Sequence, residues 1–428
     1  MSRIAIFSIV FMFIGCIVYA DLFQYVAKED PSYKWEKLEE LSIPFGMTKY
    51  DLKLVSQTWK DIAWDHRITI IKPEKVESPT MVFLIIVGGW SKNDTEEMMI
   101  GSTIASGIGA PVAILYDVPR QPLFENLRED ALIAYTFENV LKTDDQEWAL
   151  LLPMTKTAIR AMDAVQEFLQ NEQKTTVNGF IVAGASKRGW TTWLSAAADE
   201  RIKGICPMVY DNLNLIEQMD HQIETWGEYS EQIDDYTKLD IPQQIKTEKG
   251  RKLSALVDPF TYRGRITIPK LIVVGSNDRY WPLDAMNIYF DDLMGERYLL
   301  RVPNKGHDIN DMQRVLSDAV AFFMKVKGNL SFPELSWKYY DREEGLELSI
   351  SPGNQPDSVA VWTSESDTKD FRTAVWKETK ITTDNSRYIY TLKKPQKGYS
   401  AIFGEVVYPF ADKKQFYLST EVRILGAE

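Results

Sequence analysis

The 428-residue chain is poor in cysteine and histidine and has no surplus of positive charge. It holds two cysteines, Cys16 and Cys206, so at most one intramolecular disulfide is possible. A chain this long can rely on its hydrophobic core instead. The three histidines, His66, His221 and His307, form no cluster with the cysteines at zinc-ligand spacing, so no metal is expected. Gly-rich phosphate-binding loops of either common type are absent, and no cofactor is expected. Lys and Arg number 49 against 61 Asp and Glu, a formal net charge of −12. Nucleic-acid binding needs a cationic face, so no nucleic-acid partner is expected. Anionic lipid would also be a poor partner. After residue 20 no apolar run is long enough to span a bilayer.

The first twenty residues read as a leader. Arg3 is their only charge, IAIFSIVFMFIGCIV follows it, and small residues end at Ala20. A charged start, a short apolar core and small residues before a cut make a secretory signal peptide. The run is marginally short for an uncleaved membrane anchor. Phe13, Ile14, Gly15 and Cys16 loosely resemble a lipoprotein box, but bulky Phe13 and Ile14 weaken that reading. Removing the leader leaves only Cys206, so the mature chain would have no disulfide. Cys206 lies in the apolar stretch GICPMVY and is expected to be a buried structural thiol.

Residues 50–75 read as two strands. MVFLIIVGG (81–89), PVAILYDVP (111–119), GFIVAGAS, RIKGICPMVYD, PKLIVVGSND and RYLLRV read as further strands, several apolar on both faces. Helical stretches separate them, and NDMQRVLSDAVAFFMKV closes the series. Alternating strands and helices predict a doubly wound, mostly parallel sheet. Two segments interrupt the alternation, about 120–150 and 211–265. Insertions of this length at strand ends predict a cap over a site. Their aromatic residues Phe124, Trp148, Trp226, Tyr229, Tyr236, Phe260 and Tyr262 are candidates to line a pocket. Beyond about residue 330, short runs rich in β-branched and aromatic residues predict an immunoglobulin-like β-sandwich. The expected division is therefore 1–20 leader, 21–332 α/β domain and 333–428 sandwich.

Gly184-Ala185-Ser186-Lys187-Arg188-Gly189 lies between a predicted strand and a predicted helix, the setting of a nucleophile elbow. The usual motif has a small residue two places after the serine, where this chain has Arg188. A nucleophilic serine needs a base held by an acid. His307, in the loop after the last predicted strand, is the expected base. His66, near the start of an early strand, is expected at a surface or edge. His221 falls in the cap. The acid is expected at Asp278, in the loop of VVGSNDRYWP, with Asp211 at the end of PMVYD as the alternative. Oxyanion donors are expected from the backbone of Lys187 and of Gly89-Trp90, in the loop after an early strand.

These stretches carry a family resemblance. GASKRGWTTWLSAAADERIKGICPMVYDNLN, QPLFENLREDALIAYTFE, PMTKTAIRAMDAVQEF, LVDPFTYRGRITIPKLIVVGSNDRYWPLDA and VPNKGHD resemble the PhoPQ-activated pathogenicity-related proteins. The same domain is similar to that of secreted autocrine proliferation repressors. The resemblance implies an α/β-hydrolase fold, an exported protein in the envelope or extracellular space, and Ser186, Asp278 and His307 as the triad. It implies no substrate. The expectation is thus a secreted serine hydrolase of an ester or amide bond, acting on a small molecule or a peptide. A peptidase of the same fold is the nearest alternative. A non-catalytic signalling or binding protein on this scaffold, with a protein partner at the C-terminal domain, is the other.

Overall fold

The computed structural model describes residues 21–89, 94–384, 387–411 and 414–427. The expected leader and Trp90 lie outside the described residues. Nine of the described strands form one sheet. They are β1 (Lys34–Ile43), β2 (Met47–Trp59), β3 (Ile62–Pro73), β4 (Met81–Ile86), β5 (Val112–Leu115), β6 (Gly179–Ala185), β7 (Ile202–Met208), β8 (Lys270–Gly275) and β9 (Arg297–Val302). Their order is β1-β2-β3-β5-β4-β6-β7-β8-β9. β1, β2, β3 and β5 pair antiparallel, and every pair from β5 through β9 is parallel. An antiparallel entry, with β5 passing outside β4 before the chain crosses to β6, is the α/β-hydrolase topology.

The helices are α1 (Leu22–Ala27), α2 (Thr95–Ile108), α3 (Glu129–Thr143), α4 (Leu151–Gln173), α5 (Lys187–Ala198), α6 (Leu215–Trp226), α7 (Asp234–Thr237), α8 (Ile241–Gln244), α9 (Glu248–Val257) and α10 (Met312–Lys327). The central strands are apolar throughout because helices cover both faces. In β4, Val82, Leu84 and Ile86 pack with α4 and α5, whereas Met81, Phe83 and Ile85 pack with α2 and α10. Alternate side chains of one strand thus feed two cores. Cys206 is buried and free, as expected, and burial pushes its thiol up.

The C-terminal region is a β-sandwich. Its strands are β10 (Ser336–Arg342), β11 (Gly345–Ser351), β12 (Ser358–Ser366), β13 (Lys377–Lys380), β14 (Thr383–Asp384), β15 (Arg387–Lys393), β16 (Tyr399–Phe410), β17 (Lys414–Ser419) and β18 (Arg423–Gly426). One sheet runs β10-β11-β15-β14. The other runs β13-β12-β16-β17, with β18 also on β16. Leu348, Ile350, Val361, Ile402 and Phe416 of the sandwich share one apolar cluster with Phe322 and Phe323 of α10. The Arg301 amide of β9 donates to Ser419 Oγ at 2.9 Å, and the Tyr417 amide to Asp318 Oδ1 at 2.8 Å. The sandwich is fused to the end of the sheet that carries β8 and β9. No helix among the described residues is long and apolar enough to cross a membrane.

Candidate active site

β6 delivers Ser186 into a sharp turn before α5. Ser186 has φ 58° and ψ −127°, a region that L-residues avoid, so surrounding contacts must hold it there. Its amide donates to the Met208 carbonyl at 2.8 Å. α5 begins at the next residue, so the Lys187 amide belongs to the first helical turn, whose N–H groups lack helical partners. Ala185 beside the serine is exposed, which opens this turn to solvent.

Arg188 accounts for the departure from the usual elbow. Its guanidinium donates through Nη1 and Nη2 to the two carboxylate oxygens of Glu129, both at 2.7 Å, and through Nε to the Val118 carbonyl at 2.6 Å. A side chain on Gly88 would overlap that guanidinium, so glycine here leaves room for Arg188. Gln121 Nε2 donates to the Gly88 carbonyl at 3.1 Å and to Glu129 Oε1 at 2.5 Å. Lys187 Nζ also reaches Glu129, at 2.9 Å. Burial alone would raise the Glu129 carboxyl, but its hydrogen bonds with Arg188 and the nearby charges of Arg188 and Lys187 hold it down at about 2. Gly89 follows with open space where a side chain would stand.

The Asp278 and His307 loops leave neighbouring strand ends, those of β8 and β9. His307 Nδ1 lies 2.9 Å from Asp278 Oδ2, and Asp278 Oδ1 accepts the Tyr280 amide at 2.8 Å. The Tyr280 ring lies against the His307 imidazole, with centroids 4.2 Å apart. His307 Nε2 is buried and has no hydrogen-bond partner. Gly275 lets the loops approach, because a side chain there would strike the Lys305 and Gly306 carbonyls. Asp211 lines a cleft with Asp278 but is hydrogen-bonded to a tyrosine. It accepts the Tyr289 hydroxyl at 2.8 Å, and burial pushes its carboxyl up to about 7 despite the Arg301 charge.

The other two histidines sit apart. His66 is core, not surface: it is 3% exposed, and its ring nitrogens meet Ser56 Oγ at 3.1 Å and the Tyr116 carbonyl at 3.3 Å. β2 and β5 flank β3, and Thr157 of α4 lies against the ring. Burial lowers its imidazole to about 4. His221 Nε2 pairs with Asp284 Oδ1 at 2.7 Å in the cap.

Ser186, Lys187 and Tyr280 border an apolar cavity of about 70 Å³. Phe137, Trp190, Tyr236, Ile245 and Trp281 supply much of its wall. Both expected insertions contribute, and they meet where the Tyr236 hydroxyl donates to Asp130 Oδ1 at 3.0 Å. Of the aromatic candidates in those insertions, Tyr236 lines this cavity. Phe124 and Trp148 pack against Trp59 instead, Tyr262 packs edge-on to Phe23, and Trp226 borders a separate polar cleft containing Asp278. Trp190 and Trp281 fall outside both insertions, in a helix and a loop, where the residue pattern gives no sign of a cavity. Among the described residues no group of three or more His, Cys, Asp or Glu is placed to hold a metal.

The structure resembles acetyl xylan esterase from Paenibacillus sp. R4, with TM-score 0.49, 14% identity, and 67% of this chain and 86% of that one covered. It also resembles acetyl xylan esterase 1 from a Thermoanaerobacterium species, with TM-score 0.46, 15% identity, and 71% and 92% covered. In sequence the chain is 32% identical to autocrine proliferation repressor protein A of Dictyostelium discoideum, over 99% of this chain and 94% of the relative. The family model of the PhoPQ-activated pathogenicity-related proteins matches residues 22–372, and the chain belongs to that family.

Proposed function

We propose that this protein is an exported serine hydrolase of an ester or amide bond. Ser186 Oγ attacks the carbonyl carbon, and His307 Nε2 takes its proton and returns it to the leaving group. Asp278 holds the imidazole through Nδ1. The amides of Lys187 and of the Gly89-Trp90 loop stabilise the oxyanion. Residues 1–20 direct export, residues 21–332 carry the chemistry and residues 333–428 form the sandwich.

The single observation that carries this reading is the Asp278–His307 pair at 2.9 Å, with the opposite imidazole nitrogen unpartnered. It stands at the same end of the parallel sheet as the strained Ser186 turn and its apolar cavity. Ligands of open α/β sheets bind outside the carboxyl ends of the strands. Fold alone would not license a reaction. The cavity wall is apolar and aromatic, so it suits an uncharged apolar group on one side of the scissile bond.

The test is labelling of the purified mature protein by a fluorophosphonate probe. Wild type labels, and Ser186→Ala and His307→Ala do not. A folded wild type that resists probes of several sizes rejects the reading. Parallel assays on simple esters and on peptides separate an esterase from a peptidase.

A second reading is favoured by the name of the relative, an autocrine proliferation repressor that matches nearly end to end. In it the chain signals through a partner without turnover. Ser186→Ala then keeps full activity in a cell-proliferation assay.

A further inference from the structure

Residues 367–376, the connection between β12 and β13, bring the sandwich against the Asp278 and His307 loops. Asn277 immediately precedes Asp278. Its Nδ2 donates to the Ala374 carbonyl at 2.7 Å and the Phe371 carbonyl at 3.1 Å. Asn304 stands three residues before His307, with φ 58°, a conformation that asparagine tolerates better than most residues. It makes a reciprocal pair with the backbone of Trp376: Nδ2 donates to the carbonyl at 3.0 Å, and Oδ1 accepts the amide at 2.7 Å. The two loops are also tied to each other. The Asn277 amide donates to the Lys305 carbonyl at 2.9 Å, and the Asn304 amide to Ser276 Oγ at 2.8 Å.

The segment is itself braced. Arg372 pairs through two nitrogens with Asp370, and Ser364 Oγ donates to the Val375 carbonyl at 2.9 Å. Phe371 and Trp376 are buried with Phe403 of the sandwich and Leu283 of the α/β region in one apolar cluster. Arg372 Nη1 further donates to Glu231 of the cap at 2.8 Å, and its guanidinium lies over the Trp226 ring. A rigid strand connection of one region therefore grips, on separate side chains, the loops that carry the acid and the base of the other.

We infer that residues 367–376 of the sandwich are a positioning element of the active site, acting through Asn277 on Asp278 and through Asn304 on His307. This rests on the hydrolase reading above. The physical case is that both loops are irregular connections outside the sheet, and loops hold catalytic geometry only when their backbone is tied down. Without the clasp the imidazole and carboxylate lose their common frame, while most of the cavity wall, including Phe137, Trp190, Tyr236 and Ile245, stands on other elements.

The experiment compares wild type with Asn277→Ala, Asn304→Ala and the double variant, with Gln415→Ala as a remote sandwich control. Saturation labelling by a fluorophosphonate separates the maximal rate from the binding constant. Nitrogen NMR of the three histidines reads His307 without turnover. The inference expects the maximal rate to fall about a hundredfold in the double variant, with binding changed less than threefold. It also expects the His307 Nδ1 signal to move while the melting temperature shifts little. Gln415→Ala changes none of these. A drop in melting temperature alone, with the maximal rate and the His307 signal as in wild type, overturns the inference. If the double variant does not fold, the single variants, each keeping one clasp, carry the same two readouts. A wild type that does not label, with a His307 signal that still moves in the variants, rejects the hydrolase reading and leaves the positioning role standing.

Discussion

Arg188 and Glu129 are joined by two parallel hydrogen bonds of 2.7 Å beneath the Gly88-Gly89 loop. The pair places a planar cation where other elbows have a small residue. It fastens that loop, the first turn of α5 and the start of α3 to one another. A two-pronged guanidinium–carboxylate pair is stronger and more directional than a single contact.

Replacing Arg188 by Met leaves Glu129 with Lys187 and Gln121 alone. The expected loss is about 2 kcal/mol, because one partner of a part-buried pair is left without its match. Urea unfolding reads it. The pH dependence has a definite sign. Glu129 sits at about 2 against an ordinary 4.5, so its stabilisation is present above pH 4.5 and is lost as pH falls through 2. In Arg188→Met that acid limb shrinks.

Gly88→Ala forces the new methyl onto the Arg188 guanidinium. It destabilises the fold and slows labelling by the fluorophosphonate. The double variant Gly88→Ala/Arg188→Ala recovers part of the stability, because the clash is gone. Additive losses in the double-mutant cycle would contradict the proposed packing.

Asp278→Asn and Asp211→Asn separate the two candidate acids. Losing the acid that orients an imidazole costs about four orders of magnitude in turnover. That loss is expected for Asp278→Asn. Asp211→Asn keeps an acceptor for the Tyr289 hydroxyl and is expected to retain activity. The reverse pattern in ester hydrolysis or labelling would reassign the acid.

His66 and Asp211 act in opposite directions on acidification. His66 falls from 6.5 to about 4 on folding, so its stabilisation is present above pH 6.5 and is lost as pH falls through 4. The full effect is about 3 kcal/mol. Asp211 rises from 3.8 to about 7, so its contribution is present below 3.8 and is lost as pH rises through 7. Between pH 7 and 4 the two offset each other. Asp211→Asn should steepen the loss of stability on acidification across this window, and His66→Asn should reduce it, in urea unfolding at several pH values.

Ile245→Trp adds bulk to the cavity wall. Labelling by a fluorophosphonate with a large apolar arm falls by about a hundredfold, while a short-chain probe is hardly affected. Equal loss for both probes would mean that the cavity does not receive the apolar group.

Much of this was legible in the residues. The apolar runs MVFLII, VAIL and LIVV are continuous because helices cover both faces, and continuity is a local signal. The turn at Ser186 and the loops at Asp278 and His307 follow such runs, so strand ends could be read along the chain. β1 was not legible. Its KWEKLEELSI alternates weakly, carries charge on both sides and is largely exposed at the sheet edge. His66 misled for a related reason: one polar residue in a strand says nothing about the helix that will lie over it. Thr157 of α4, close to the His66 ring, is 91 positions away in sequence.

Local pattern set the alternation of strands and helices, the strand–turn–helix at Ser186, and the order Ser186, Asp278, His307 along the chain. Each depends on the residue types at a position and on their period. Tertiary structure alone decided which partners those residues meet. Arg188 and Glu129 are 59 positions apart, and Asn304 and Trp376 are 72. Contacts over such separations follow from how whole elements pack, and no local pattern carries that information. The joining of the sandwich to the Asp278 and His307 loops belongs to this second kind.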